Sequence, residues 1–128
     1  MKSFVLVDRI TRKEHIFLQG NKKSIGRSID CDVQTLSGDK RVSRHHADAE
    51  YDSSGNFYVR DKKSRNGVYV MIDGEKTQVF GNYQIRSGES FFLGREYEMY
   101  GEKRDTVAEK NAEARNRIAE TDTIDLTR

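Results

Sequence analysis

Short runs of apolar and aromatic residues alternate with polar turns from residue 1 to about residue 100. The runs lie at 4–7, 15–18, 47–51, 57–59, 68–70, 78–80, 90–93 and 97–100. Turn-forming pairs such as Asn66-Gly67, Asp73-Gly74 and Gly81-Asn82 separate them. No helical period of apolar positions appears in this stretch. Short strands at this spacing are typical of β-sandwiches and β-barrels, so the pattern predicts an all-β domain.

The pattern changes near residue 101, which divides the chain into a domain at 1–101 and a charged tail at 102–128. The tail contains no aromatic residue. Thr106 and Glu109 have the spacing of a capping box, and residues 106–120 are rich in the helix formers Ala, Glu, Arg and Lys. Such a helix would bury few large side chains and would be marginal alone. We therefore expect a partly helical or disordered tail.

Composition and charge narrow the class of protein. A net charge of +2 over 128 residues is too balanced for a protein that coats nucleic acid by bulk charge. The single cysteine, Cys31, excludes an intramolecular disulfide and is typical of a reducing compartment. No apolar run approaches the roughly 20 residues that span a bilayer, and residues 1–9 lack the long apolar core of a signal peptide. We expect a cytoplasmic protein that binds neither a membrane nor nucleic acid.

Three predicted loops concentrate the basic side chains of the domain. The loops are residues 25–28, 40–47 and 61–67. They hold nearly half of the basic residues of the domain, namely Arg27, Lys40, Arg41, Arg44, Lys62, Lys63 and Arg65. Alternate connections of a sandwich fall at the same end, so these loops would form one concave basic site there.

The residue types in these loops suit a phosphorylated peptide. An arginine guanidinium presents two parallel N–H donors to a phosphate, and a serine hydroxyl such as that of Ser43 adds a short donor. A carboxamide such as that of Asn66 donates and accepts at once, which suits a peptide backbone. The combination requires no catalytic base and no nucleophile.

The order of three short motifs resembles the signature of the forkhead-associated (FHA) domain. The motifs are Gly26-Arg27, Ser43-Arg44-His45-His46 and Ser64-Arg65-Asn66-Gly67. Each is weak alone, but their order and spacing together are specific, and the resemblance covers residues 1 to about 101. It implies a two-sheet antiparallel β-sandwich of about eleven short strands (FHA/SMAD-like) that binds phosphothreonine peptides.

The resemblance also implies roles for individual residues. The expected peptide-binding residues are Arg27, Ser43, Arg44, Ser64, Arg65 and Asn66. The expected structural supports of the site are Gly26, His46 and Gly67. Arg27 and Ser43 would contact the phosphate, and Arg44 would contact the phosphate or the peptide backbone. Asn66 would hold the peptide main chain.

Three positions differ from the usual residues of the family. Arg65 stands where a threonine or serine often precedes the asparagine, and it adds a positive charge to the site. Val68 replaces a frequent threonine, and Met71 stands where an asparagine often braces the loops. These differences affect the predicted specificity more than phosphate binding itself.

The sequence supports an enzyme or a metal-binding protein less than it supports a peptide-binding domain. The chain has no Gly-rich phosphate loop before a helix, no HExxH motif and no nucleophile elbow. Cys31 lies between Asp30 and Asp32, an acidic setting that disfavours a thiolate. The three histidines and one cysteine show no metal-ligand spacing. We therefore expect a protein that is not an enzyme and that uses no metal and no cofactor.

Two threonines of the tail are candidate phosphorylation sites. FHA domains are known to select the residue three positions after the phosphothreonine, often an acidic or branched aliphatic one. Thr121 has Ile124 at this offset, and Thr123 has Leu126. Phosphorylation of either threonine would create a ligand for the site, in the same chain or in a neighbour. The alternative is a disordered tail without such a role.

These observations predict a phosphothreonine-dependent protein–protein interaction module, an adaptor in Ser/Thr kinase signalling. Its partner would be a phosphothreonine-containing protein, with a Ser/Thr kinase upstream and tail-mediated self-association as a further prediction. Two other functions stay open. One is a degenerate FHA scaffold that binds unphosphorylated protein surfaces, and the other is a nucleic-acid binder that uses the basic loops.

Overall fold

A computed structural model describes residues 2–105, which form eleven β-strands and no helix. The strands are β1 Lys2–Asp8, β2 Glu14–Leu18, β3 Lys22–Gly26, β4 Val33–Gln34, β5 Ala47–Tyr51, β6 Phe57–Asp61, β7 Val68–Ile72, β8 Glu75–Val79, β9 Asn82–Ile85, β10 Glu89–Leu93 and β11 Tyr97–Asp105. Nothing in this range is a helix able to cross a membrane. The helix predicted for residues 106–120, and Thr121 and Thr123, lie outside the described residues.

The strands form two sheets. One has six strands in the order β2-β1-β11-β10-β7-β8, and the other has five in the order β4-β3-β5-β6-β9. Neighbouring strands are antiparallel except β3 and β4, a parallel pair only two residues long. The predicted two-sheet β-sandwich of about eleven short strands is therefore confirmed.

One hydrophobic core lies between the sheets, because alternate residues of each strand face inward. In β5, Ala47, Ala49 and Tyr51 are buried while the residues between them are not. The ring of Phe4 on β1 stacks on the ring of Phe57 on β6, with centroids 4.1 Å apart. Burying a side chain of this size stabilises the fold by about 1.5–3 kcal/mol.

The strand register brings the three basic loops to one end of the sandwich. Ile25, near the end of β3, pairs with Ala47 at the start of β5. Ala47 pairs in turn with Asp61 at the end of β6. In the other sheet, Val68 at the start of β7 pairs with Leu93 at the end of β10. The loops that follow β3, precede β5 and join β6 to β7 therefore meet, and the β10–β11 turn lies at the equivalent end of the other sheet.

The strands differ from the sequence pattern in several places. No run of the pattern corresponds to β3, β4 or β9, and the pattern places the first residue of β9, Asn82, in a turn. The run at 78–80 reaches only the last two residues of β8. β11 continues through residues 102–105, which the composition assigns to the tail, and pairs with β1 as far as Asp105. An ion pair attaches this polar segment to β2, because the Arg104 guanidinium donates to both carboxylate oxygens of Glu14 at 2.9 and 3.0 Å.

Candidate functional site

The loop after β3 and the loop before β5 run side by side through backbone hydrogen bonds. The Arg27 N–H donates to the Ser43 carbonyl at 3.2 Å, and the Ser28 N–H donates to the Arg44 carbonyl at 3.2 Å. The Arg27 side chain is fixed as well, because its Nε donates to the Val42 carbonyl at 2.8 Å. Within residues 2–105, neither of its two terminal nitrogens is engaged. Arg27 is thus held at one edge of the guanidinium while the other edge stays available.

The close approach of these two loops depends on Gly26. A Cβ atom at this position would lie 2.0 Å from the Arg44 carbonyl oxygen and 3.0 Å from Cys31 Sγ. No side chain fits at such a distance from backbone, so a glycine is required here. Gly26 therefore supports the site by letting the Arg44 backbone reach β3.

His46 ties the β4–β5 loop to the β6–β7 loop from inside the protein. It is fully buried, and its Nδ1 accepts the Ser43 N–H at 3.0 Å. Nε2 must then carry the ring proton, which it donates to the Gly67 carbonyl at 2.7 Å. Burial lowers the pKa of His46, and the neutral ring is the form that makes both bonds.

The β6–β7 loop carries Arg65 and Asn66 against the β4–β5 loop. The Arg65 N–H donates to Ser43 Oγ at 3.1 Å, and Asn66 Nδ2 donates to the Arg41 carbonyl at 3.1 Å. Gly67 turns the chain with a φ of 81°, in the left-handed region that favours glycine. Ser64 acts within the loop, since its hydroxyl donates to Asp61 and accepts the Gly67 N–H at 2.8 Å.

The arginines at this end differ in whether a carboxylate neutralises them. Arg41 Nη2 lies 2.5 Å from Asp39 Oδ2, and its Nη1 lies 3.2 Å from a carboxylate oxygen of Glu96. The guanidiniums of Arg27, Arg44 and Arg65 have no carboxylate partner among residues 2–105. The end of the sandwich where the β3–β4, β4–β5 and β6–β7 loops meet, here called the loop end, therefore carries three arginines without a carboxylate partner among the described residues.

A cavity of about 430 Å³ adjoins Asn66 on the side of the six-stranded sheet. Its walls include Arg41, Arg65, Asn66, Tyr69, Gln78 and Arg95. Tyr69, Gln78 and Arg95 were not predicted from the sequence, because they lie on β7, on β8 and in the β10–β11 turn. The sequence signal for Arg95 is weak: it directly follows Leu93-Gly94, in a turn at the same end of the sandwich.

The structure brings five of the six predicted peptide-binding residues to one exposed or half-buried surface: Arg27, Ser43, Arg44, Arg65 and Asn66. The sixth, Ser64, has its hydroxyl engaged inside its own loop. Lys62 and Lys63 lie apart from this surface, beside Arg60 and Asp48, and Lys62 Nζ is 3.6 Å from Asp48 Oδ2. Their contribution to the site is therefore at most long-range.

Comparison with known proteins agrees with this architecture. The Rv1747 FHA-1 domain of Mycobacterium tuberculosis is 18% identical, covers 81% of this chain and 98% of its own, and superposes with a TM-score of 0.64. Slr1951 of Synechocystis sp. is 26% identical over 82% of this chain and 99% of its own, with a TM-score of 0.61. A third structure, from a structural and functional analysis of phosphothreonine-dependent FHA domain interactions, is 25% identical over 78% of this chain and 95% of its own, with a TM-score of 0.61.

A match to a protein-family model includes the residues of the candidate site. A search of curated proteins found no match to this chain. The family model of the FHA domain matches residues 23–94, a range that contains Gly26-Arg27, all of the β4–β5 loop and all of the β6–β7 loop. The chain therefore belongs to the FHA domain family, which is known for binding phosphothreonine.

Proposed function

We propose that this protein is an adaptor in Ser/Thr kinase signalling that binds phosphothreonine-containing proteins at the loop end and catalyses no reaction. The observation that carries the proposal is the contrast among the arginines. Arg41 is neutralised by Asp39 and Glu96, whereas Arg27, Arg44 and Arg65 have no carboxylate partner within residues 2–105. A phosphate with about two negative charges and three acceptor oxygens would complement such a cluster.

Each residue of the site has a proposed role that follows from its geometry. Arg27 presents its free guanidinium edge to the phosphate, and Ser43 adds its hydroxyl, which already accepts the Arg65 N–H. Arg44 is exposed and reaches the phosphate or the peptide backbone. Asn66 donates one amide hydrogen to the Arg41 carbonyl, and its carboxamide oxygen accepts a peptide N–H. The solved structure from a study of phosphothreonine-dependent FHA domain interactions supports phosphothreonine as the class of ligand.

The test is calorimetric titration of the full chain with a phosphothreonine peptide library and with the same peptides unphosphorylated. We expect binding only to the phosphorylated peptides. Arg44→Ala should weaken it roughly 10- to 100-fold, since a hydrogen bond to a charged group is worth about 1.5–3 kcal/mol. Arg86→Ala is the matched control, because Arg86 is exposed in the β9–β10 turn at the other end of the sandwich.

The two other predicted functions give different results in the same experiment. A degenerate scaffold would bind a partner equally before and after phosphatase treatment and in the Arg44→Ala variant. A nucleic-acid binder would bind oligonucleotides with an affinity that falls steeply with salt. Either result would contradict the proposal.

The tail threonines supply a candidate ligand within the same polypeptide. We expect a synthetic peptide of residues 116–128, phosphorylated at Thr121 and Thr123, to bind the full chain saturably. Singly phosphorylated peptides would show which of the two phosphothreonines the site binds. Loss of binding in Arg44→Ala would place the peptide at the loop end, and absence of binding by all three phosphopeptides would refute self-recognition by the tail.

A further inference from the structure

A second cluster of chemically active side chains lies on two of these loops, the β3–β4 loop and the β4–β5 loop. Asp30, Cys31 and His45 each offer one ligand atom, and these three atoms lie within 4.8 Å of one another. His45 Nε2 is 2.9 Å from Asp30 Oδ1. The sequence gives little sign of this cluster, because His45 follows Asp30 by 15 residues and belongs to a different loop.

The three ligand types suit a borderline-soft divalent metal ion. Thiolate and imidazole are the preferred ligands of Zn²⁺, and a carboxylate oxygen is a common third. With metal–ligand bonds of about 2.0–2.3 Å, the ligand atoms of a tetrahedral site lie about 3–4 Å apart. The observed separations, from 2.9 Å to at most 4.8 Å, bracket that range.

Access and burial also fit an ion that enters from solvent. The side chains of Asp30 and His45 are 67% and 56% exposed, so an ion reaches them directly. Cys31 is 7% exposed and forms the floor of the cluster. Its Sγ lies 3.1 Å from the Arg44 carbonyl oxygen, to which the thiol donates. A bound ion would replace that proton as the partner of the sulfur.

Hydrogen-bond donors around the cluster favour the charged form of Asp30 and partly offset the effects that favour the neutral thiol of Cys31. The hydroxyl of Ser28 lowers the pKa of Asp30, as does His45. The hydroxyl of Ser24 and the backbone of Ser28 act on the sulfur of Cys31 and oppose the rise in the pKa of that thiol that burial and Asp30 cause. Because such outer donors orient ligands and tune their basicity, they are a usual part of a metal site.

We propose that Asp30, Cys31 and His45 form a Zn²⁺ site that clamps the β3–β4 loop to the β4–β5 loop and leaves one coordination position open to solvent. The ion would join the two loops that carry Arg27 and Ser43. The proposal does not depend on the phosphopeptide function, since none of its three residues belongs to the proposed peptide-binding set.

The experiment is titration of the metal-free, reduced full chain with Co²⁺ and with Zn²⁺. Co²⁺ should produce a thiolate-to-metal charge-transfer absorption in the near ultraviolet, together with visible bands of tetrahedral intensity. Zn²⁺ should displace it at one ion per chain and raise the midpoint of thermal unfolding. One proton should be released from Cys31 per bound ion, so the apparent affinity should rise with pH. Titration in buffers of different ionisation enthalpy measures that proton.

Variants assign the signal to these residues. Cys31→Ser should abolish the charge-transfer band. His45→Gln should weaken Co²⁺ binding by more than the roughly 10- to 100-fold typical of outer-shell changes. His45 is exposed, so this variant keeps the test decisive if Cys31→Ser fails to fold. His15→Gln, a histidine on β2 outside the cluster, should bind Co²⁺ as the wild type does. Absence of the band in the wild type, or its persistence at full intensity in His45→Gln, would overturn the proposal.

Discussion

Gly26 shows how much of the site depends on the absence of one side chain. Its Cα faces the Arg44 carbonyl so closely that a Cβ would lie 2.0 Å from that oxygen. The obstacle is backbone, which cannot rotate away as a flexible side chain could. The Gly-Arg pair of the sequence motif therefore combines a steric requirement at the first residue with chemistry at the second.

Substituting Gly26 with alanine should separate the two loops. We expect Gly26→Ala to lower the free energy of unfolding by about 3 kcal/mol, the upper part of the usual range for overpacking, and to abolish phosphopeptide binding. Gly38→Ala is the matched control, because a Cβ there meets no atom within 4 Å, and it should change stability by no more than about 0.5 kcal/mol. Urea denaturation measures both. Equal stability of the two variants would contradict this account of Gly26.

His46 makes the stability of the site dependent on pH. Its pKa is lowered by burial, so between the unfolded value near 6.5 and the folded value the unfolded chain binds a proton that the folded protein does not. The stabilisation is fully present above about pH 6.5 and is lost as the pH falls through the folded pKa. The slope approaches about 1.4 kcal/mol per pH unit in that window.

The measurement is the free energy of unfolding between pH 7.5 and 4.5, with the His46 ring followed by NMR. His15 contributes in the same direction, because burial lowers its pKa too. His15→Gln should therefore retain part of the slope, and the His46 ring should titrate below pH 6.5. A His46 ring that titrates at or above 6.5 would show that the bond from the Ser43 N–H to Nδ1 is not maintained in solution.

At the residue scale, the sequence predicts site residues that belong to a contiguous motif. It misses residues that only the folded chain places beside the site. Ser43 and His46 are recognisable because both lie within one short segment. Tyr69 and Arg95 reach the neighbouring cavity only through strand pairing across β7 and β10, which no local pattern reveals. Ser64 shows what the sequence cannot reveal about a motif residue, since folding places its hydroxyl in hydrogen bonds within its own loop.

At the scale of elements, the long β4–β5 loop is anchored far from its own sheet. The Leu36 N–H donates to the Tyr97 hydroxyl at 2.8 Å, and that hydroxyl donates to Asp8 Oδ2 at 2.6 Å. Asp8 is fully buried, and its other oxygen accepts the N–H groups of Ile10 and Thr11. Burial raises the pKa of Tyr97, so the hydroxyl stays protonated and remains a donor. One hydroxyl therefore joins β1, β11 and the loop that leads to Ser43.

Removing that hydroxyl should destabilise the protein without changing its core volume. We expect Tyr97→Phe to cost about 1.5–3 kcal/mol, because it removes a hydrogen bond to a buried carboxylate and leaves the Leu36 N–H without that partner. Tyr100→Phe, three residues along the same strand, removes a hydroxyl from a half-buried ring and should cost less than about 0.5 kcal/mol. Chemical denaturation of the two variants is the check, and equal losses would refute the anchoring role.

Element boundaries follow the sequence only where burial alternates. β5 is recognisable because its small and aromatic residues face the core in turn. β4 has two residues and no period to detect, and β9 begins on an asparagine that also signals a turn. β11 extends beyond the apolar pattern because its last residues gain backbone pairing with β1 and a bidentate Arg104–Glu14 ion pair rather than burial.

At the scale of the whole molecule, the site and the aromatic centre of the core lie toward opposite ends of the sandwich. Phe57 begins β6, while Asp61 ends it beside the basic loops, about 13 Å away along the strand. Phe57 stacks on Phe4 and meets Phe17 edge to face at 5.0 Å. Substitutions at such a separation usually act independently on stability. The loops are held by the hydrogen bonds of His46 and by the backbone bonds of Arg27 and Ser28, so we expect their geometry not to depend on this ring cluster.

This separation predicts that stability and binding can be changed independently. Phe57→Leu removes two ring pairs, each worth about 0.5–1.5 kcal/mol, and should lower the free energy of unfolding by about 1–3 kcal/mol. Phe80→Leu is the matched control, because Phe80 is 75% exposed and its replacement should cost no more than about 0.5 kcal/mol. At a temperature where both variants stay folded, each should bind the phosphopeptide with the wild-type Kd. Weaker phosphopeptide binding by Phe57→Leu alone would mean that the core transmits strain along β6 to the loops. The geometry of the site would then depend on the core and not only on the hydrogen bonds of the loops.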